Sequence, residues 1–199
     1  MRRTEPEEAR GAADDAIARK IEAGDPRAFD AFFERYAGPL AGHLCGMVRN
    51  RATAEDLLQE TMVRVYSHIG RYRERGAFRA WVYRIATNLA LTELRRSRIR
   101  RECALGTPAE EPACEAPDPE ERLERAEAKD AVRRGISALP DEQRAVVLLR
   151  VRREMGIREI ARTLSIPEGT VKSRLHHAVR SLRAYMKERE TPHLPEEND

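Results

Sequence analysis

The chain has 199 residues, of which 36% are charged and only 5% aromatic. That length suits one ordinary domain or two small ones, and so few aromatics disfavour a single large core. Ala, Leu, Arg and Glu dominate and strand signals are almost absent, which predicts an all-α fold of small helical cores. The net charge of +3 conceals a segregation. Residues 51–101 carry 12 basic and 5 acidic side chains, residues 102–130 carry 3 and 10, and residues 131–189 carry 14 and 6. Two basic blocks flanking an acidic stretch predict two surfaces for a polyanion, joined by a segment that repels it.

No apolar run approaches the ~20 residues of a membrane span, and MRRTEPEEAR lacks a signal-peptide core. The three cysteines, at 45, 103 and 114, have no metal-ligand spacing. The simplest expectation is a cytoplasmic protein with free thiols and no metal or other cofactor.

In chain order, Asp14 to Ala23 reads as a short helix closed by Gly24. Asp25 caps a second helix with Pro26 in its first turn. Ala28, Phe29, Phe32, Phe33 and Tyr36 recur at helical spacing and predict core. A third helix opens at Thr53, with Asp56 three residues on in the manner of a capping box. Its predicted apolar stripe is Leu58, Met62, Val65, Tyr66 and Ile69. The arginine-rich segment RYRERGA (71–77) has no periodicity and reads as a loop. A fourth helix runs from about Phe78 to Arg98. Residues 102–120 hold Pro108, Pro112, Pro117 and Pro119 among many acids and predict a flexible linker. Stretched out, a tether of roughly 25–28 residues reaches on the order of 80–90 Å, which would leave the two basic domains free to touch distant sites.

Helical pattern resumes at Glu121. Val132, Ile136 and Leu139 share a face, and Leu139-Pro140 breaks that helix. Asp141 and Glu142 open the next helix, where they suit its dipole. Ile157 to Leu164 then forms two turns with Ile157, Ile160, Ala161 and Leu164 inward. Ser165 and Glu168 read as an S-x-x-E capping box, with Pro167 in the first turn of a longer helix. Val171, Leu175, Ala178, Val179 and Leu182 fall within one arc of that helix at about 100° per residue. Thr170, Lys172, Ser173, Arg174, His176, His177, Arg180 and Arg183 lie around and opposite it. A short helix, a tight turn and a longer helix with a basic outer face constitute a helix-turn-helix, whose second helix enters the major groove of DNA. His176 and His177 are adjacent, so they point about 100° apart and chelate a metal poorly.

Several further strings narrow the reading. AEDLLQETMVRVY is followed by FRAWVYRIATNLALTELRR, then by LPDEQR and GTVKSRLHHA. In this order, from about Asp14 to Tyr185, the chain resembles the extracytoplasmic-function (ECF) sigma factors of bacterial RNA polymerase. The resemblance implies sigma region 2 over residues 12–101, an acidic linker over 102–126, sigma region 4 over 127–187 and an acidic tail over 188–199. It implies docking on core RNA polymerase, at the β′ clamp helices and the β flap, with Asp56, Leu57, Gln59, Glu60 and Arg64 on the clamp side. It implies reading of the promoter's minus-ten element by Tyr72, Arg73, Arg75, Phe78, Arg79, Trp81, Arg84 and Asn88. Thr170, Lys172, Ser173, Arg174, His176, His177 and Arg180 would read the minus-thirty-five element. It also implies an anti-sigma partner that can be membrane-bound.

The residues suit these roles. Unstacked bases need stacking surfaces and a basic track, and Tyr72, Phe78, Trp81 and Tyr83 stand among Arg71, Arg73, Arg75, Arg79 and Arg84. Two departures from the family pattern stand out. Thr92 occupies a position where an Asp is common, and His176 and His177 stand where an aromatic or aliphatic residue and an arginine are common, predicting a changed and pH-sensitive minus-thirty-five preference. Neither a Gly-rich phosphate loop nor a Ser-His-Asp set is visible, so no enzymatic activity is expected. The alternative of a free-standing helix-turn-helix regulator would need a dimerisation or receiver domain, and that of an interaction protein for an acidic partner overlaps with the anti-sigma expectation.

Overall fold

The computed structural model describes residues 7–73, 76–103 and 123–190. The described residues form helices and connecting turns: α1 (Glu7–Glu22), α2 (Pro26–Val48), α3 (Arg51–His68), a 3-10 turn (Ile69–Arg71), α4 (Phe78–Cys103), α5 (Leu123–Ala138), α6 (Asp141–Arg152), α7 (Ile157–Leu164) and α8 (Glu168–Glu190). The fold is all-α in two helical halves, α1–α4 and α5–α8. The acidic segment expected to be a linker lies, but for the ends contributed by α4 and α5, outside the described residues.

α2 begins where its sequence says it must. The Asp25 carboxylate accepts from the Arg27 N–H at 3.0 Å, and Pro26 follows it where no donor is missed. Phe32, Tyr36, Leu40, Leu44 and Met47 then line the buried face. Phe33, expected in the core, is 51% exposed. α1 starts seven residues before the expected Asp14 and buries Asp14, Ala18 and Ile21 against α2.

α3 opens one turn earlier than predicted. Arg49 adopts a left-handed conformation (φ 62°) that ends α2, and the extended Asn50 accepts from the Thr53 N–H at 2.7 Å. Asn50 is therefore the cap and Thr53 the residue it caps. The buried stripe is Ala54, Leu57, Thr61, Met62 and Val65, rotated from the predicted one, with Tyr66 exposed. The cause is that α3 packs against both α2 and α4. Thr61 is tolerated in that core because its hydroxyl donates to the Leu57 carbonyl at 2.6 Å.

The second turn signal is also reassigned. Ser165 is left-handed (φ 54°) and its N–H closes α7 onto Ala161 and Arg162. A helix N-cap needs extended backbone, so the expected Ser165–Glu168 capping box does not form. Glu168 instead faces Arg158, 3.5 Å away.

The largest departure concerns the independence of the halves. In α6, six consecutive residues, Arg144 to Leu149, are buried. A helix buried all round needs cover on every side. α8 and α5 supply one side, and α2, α4 and α7 the rest. One continuous apolar cluster thus runs from Phe32 and Phe78 through Val146 and Leu149 to Met155, Ile160 and Val171. The two halves, expected to hold separate small cores, share this large cluster, and a smaller one of Leu139, Val147 and Ala178 lies within the C-terminal half. Cys45, expected as a free thiol, is disulfide-bonded.

His43 sits in this seam, fully buried and hydrogen-bonded to Thr87 at 2.9 Å, with its ring edge-on to Tyr83 at 5.4 Å. Burial, with the Arg153 and Arg152 charges adding to it, lowers its pKa to about 3. A histidine lowered in the folded state costs nothing above pH 6.5, its unfolded value. Below 6.5 the unfolded chain takes up a proton that the folded chain refuses, so stability falls as pH falls toward 3. We predict a loss of about 1.4 kcal/mol per pH unit over that window from His43 alone. Urea titrations of the native chain and of His43→Gln between pH 7 and pH 4 should show the variant's stability falling less steeply; parallel curves would contradict the assignment.

Candidate nucleic-acid and polymerase interfaces

The helix-turn-helix is built by α7 and α8. Ile160 on α7 and Val171 and Ala178 on α8 are fully buried, and Leu175 and Leu182 pack beside them. Val179, expected in the apolar arc, is 44% exposed. Lys172, Ser173, His176, His177 and Arg180 present an exposed polar and basic face, with the two imidazoles edge-to-face at 5.9 Å. Thr170 is half-buried at its rim. Arg174 differs from the others, because it pairs with Glu142 on α6 and so braces the helix from behind.

On α3, Asp56, Gln59, Glu60 and Arg64 are exposed, with Glu60 and Arg64 paired at 2.6 Å. Leu57, predicted beside them as a docking residue, is 7% exposed and belongs to the core. Helical spacing continues the exposed strip through Val63 and Tyr66, which are 63% and 59% exposed. Tyr66 also meets Phe29 edge-on at 5.5 Å, extending the apolar surface onto α2. Sequence reading assigned Tyr66 to the core and passed over Val63; their i+4 and i+7 spacing from Gln59 was the available signal.

The segment after the 3-10 turn is anchored by α1, a role that α1's sequence did not suggest. The Tyr72 hydroxyl donates to one Asp15 carboxylate oxygen at 2.9 Å and accepts from the Ala77 N–H at 3.1 Å, while the Gly76 N–H donates to the other Asp15 oxygen. Gly76 has φ +81°, where a side chain would strain the backbone. Arg73 is exposed and lies 3.6 Å from Glu22. Arg75 lies outside the described residues.

Of the aromatic residues expected to meet bases, Phe78 and Tyr83 are core, 1% and 2% exposed. Tyr72 and Trp81 are half-buried, their rings 5.5 Å apart, and Trp81 stacks on Phe78 at 5.9 Å. Asn88 is exposed and Arg84 half-buried further along α4. Arg79 is half-buried and lies 3.7 Å from the Glu159 carboxylate on α7. Among the described residues no group of three His, Cys, Asp or Glu could hold a metal, and no helix is long and apolar enough to cross a membrane.

The Asp15 anchor yields a direct expectation. Asp15→Ala removes two hydrogen bonds, one from a tyrosine hydroxyl and one from a backbone amide, a cost of about 1–3 kcal/mol. Amide exchange at Gly76 and Ala77 should accelerate at least tenfold while exchange in α8 stays unchanged. Equal protection at Gly76 in both proteins would show that the anchor is idle.

Sigma-70 region 2 matches residues 32–100, and Sigma-70 region 4 matches residues 129–182. The chain is 30% identical over 178 residues to the ECF RNA polymerase sigma factor SigW of Bacillus subtilis, covering 85% of this chain and 95% of that one. It is 34% identical over 164 residues to the ECF RNA polymerase sigma factor SigL of Mycobacterium tuberculosis, covering 79% and 88%. It is also 30% identical over 172 residues to the RNA polymerase sigma-H factor of Pseudomonas aeruginosa, covering 83% and 89%. In fold it is similar to CnrH in complex with the cytosolic domain of CnrY, with a TM-score of 0.66 and 22% identity over 88% of this chain and 97% of that one. A similar likeness holds to the sigma factor RpoE in complex with the anti-sigma factor NepR from Bartonella quintana, with a TM-score of 0.68 and 19% identity over 80% and 96%. With both sigma regions in order and curated relatives matched over most of their length, the chain belongs to the ECF sigma factors of bacterial RNA polymerase.

Proposed function

We propose that the chain docks on core RNA polymerase through the exposed strip of α3, fixes register on the minus-thirty-five element through α8, and captures melted minus-ten bases beside α4. The observation that carries this reading is the open face of α8, where Lys172, Ser173, His176, His177 and Arg180 are all exposed on a helix whose opposite side is sealed into the core. Such a face can approach phosphates and base edges without unfolding anything. Tyr72, Arg73, Arg75, Trp81, Arg84 and Asn88 would form the single-strand track, with Phe78 supporting Trp81 from below.

Docking falls to Asp56, Gln59, Glu60 and Arg64, with Val63 and Tyr66 supplying the apolar contact and Leu57 holding the helix in place. Residues 12–101 and 127–187 act as the two working units. Phosphodiester chemistry belongs to the polymerase, and the chain itself is not an enzyme. One solved structure of similar fold is a sigma factor in complex with an anti-sigma factor, and a partner of that kind covering the α3 strip would hold this chain inactive in the cytoplasm.

Run-off transcription with purified core polymerase on a panel of genomic fragments tests the reading. Transcripts that appear only when the chain is added support it; duplex binding without any effect on core would favour a free-standing regulator. Asp56→Arg should weaken core association at least tenfold and leave the melting temperature unchanged, since the side chain is exposed. Lys172→Ala should weaken binding of minus-thirty-five duplex and reduce the salt slope by about 0.9, the value of one phosphate contact.

A further inference from the structure

The turn that follows α6 carries an arrangement of charge that the DNA and polymerase faces do not use. Arg152 ends α6, Arg153 follows it, and Glu154 adopts a left-handed conformation (φ 54°) that a non-glycine residue rarely holds. Both guanidinium groups lie over α2 at Gly42. Arg152 donates to the Gly42 carbonyl at 3.2 Å, and a Cβ built on Gly42 would stand 3.7 Å from the Arg153 Nη2. Among the described residues neither arginine forms an ion pair, whereas Arg35 pairs with Asp14 at 2.7 Å and Arg79 with Glu159 at 3.7 Å. Arg150, in the last turn of α6, already supplies a cation that the C-terminal dipole favours, so the doublet exceeds that need.

Arg152 and Arg153 line a cleft of about 480 Å³, and Arg35 of α2 and Arg79 of α4 stand in the same lining. Its carboxylates are those of Asp14 and Glu154, so four guanidinium groups meet two acids there. Asp14 is answered by Arg35 and Arg79 by Glu159, which leaves the doublet in excess. Burial pushes the Arg152 pKa down, and the neighbouring Arg153 and Arg133 charges push it further. The Arg153 Nε is buried without a hydrogen-bond partner. The Tyr36 hydroxyl, in a side chain 4% exposed beside Asp14, also lacks a hydrogen bond of good geometry. Buried polar groups left in this state are uncommon, and an ion or ligand is one of the few things that completes their bonding.

We propose that this cleft binds a small condensed-phosphate anion, held chiefly by Arg152 and Arg153 with Arg35 at its other edge. A guanidinium offers its N–H donors in a planar fork that matches phosphate oxygens. A single phosphate answers one such fork well; a short chain of phosphates answers several, set on different walls. The lining also decides against a larger ligand. Tyr36 and Tyr83 are 4% and 2% exposed, so neither offers a ring face on which a nucleobase could stack. Charge without a stacking face selects the phosphate chain itself, whether free or carried by a nucleotide. The inference stands apart from the sigma-factor reading, because Arg35, Arg152 and Arg153 are assigned there to neither DNA nor polymerase.

Calorimetric titration of the full chain with inorganic tripolyphosphate tests the site, with sulfate at matched ionic strength as the reference. Tripolyphosphate should bind at one site per chain and about tenfold tighter than sulfate. The double change Arg152→Gln with Arg153→Gln should weaken it about tenfold. The double change Arg27→Gln with Arg51→Gln, which removes two exposed arginines elsewhere, should leave it unaltered. If the first variant loses helicity by circular dichroism, the native chain decides. Phenylglyoxal modification read by mass spectrometry should spare Arg152 and Arg153 when tripolyphosphate is present, and should mark Arg27 and Arg51 equally with and without it. Adenosine triphosphate should protect the same doublet at a similar concentration, because only its phosphates are held. Equal affinity for sulfate, equal losses in the two double variants, or a doublet left unprotected would overturn the proposal. So would much tighter binding of the nucleotide, which would mean that a base is read. Protection of the doublet by a mixed-sequence single-stranded DNA at a lower concentration would overturn it too, giving the cleft to a nucleic-acid backbone.

Discussion

A helix with six consecutive buried residues cannot be covered from one side, and α6 sets the shape of this molecule for that reason. Ala145, Val146, Val147, Leu148 and Leu149 point around nearly the whole helix, and Arg144 is buried with them against Asp141. The helix-turn-helix and α5 shield part of that surface. The remainder is sealed only by α2 and α4 of the other half. Burying an aliphatic side chain of this size contributes about 1.5–3 kcal/mol, so closing the two halves over α6 removes apolar surface that either half would otherwise show to water. From that closure follow the disposition of α7 against α4, the pairing of Arg79 with Glu159, and the burial of His43 with the Arg152 and Arg153 charges beside it.

Much of the architecture was legible in the residues. Asp25-Pro26 starts α2 as its chemistry requires, Leu139-Pro140 ends α5, and the apolar positions Ile160, Val171 and Ala178 seat the helix-turn-helix as their spacing implies. These features depend on neighbours in sequence. What escaped depends on neighbours in space. The stripe of α3 is rotated because two helices, not one, cover it, so Leu57 turns inward and Tyr66 outward. Asn50 outcompeted Thr53 as a cap because Arg49 could turn left-handed before it, and Ser165 closes α7 by the same conformation instead of opening α8. The union of two cores could not be read from composition, since aliphatic residues on α6 look alike whether they face their own domain or another.

The candidate interfaces divide in the same way. The exposed face of α8 was readable, because a periodic apolar arc fixes what lies opposite it. The segment after α3 was not. An aromatic among arginines looks equally suited to a base or to a core, and the structure puts Phe78 and Tyr83 in the core while leaving Tyr72 and Trp81 at its edge. Asp15, fifty-seven residues before Tyr72, gave no sign of holding it. Arg174 likewise shares the charge of its neighbours but spends it on Glu142. Charge and periodicity identify a surface; which of its members are already committed is a matter of tertiary contact.

The claim most open to direct test is that α6 is sealed between the two halves within a shared core. Urea unfolding followed both by circular dichroism and by the fluorescence of Trp81 on α4 measures it. A single transition with coincident midpoints is expected, because separating the halves would expose the apolar surface that α2, α4 and α6 bury together. Two transitions with well-separated midpoints would contradict it.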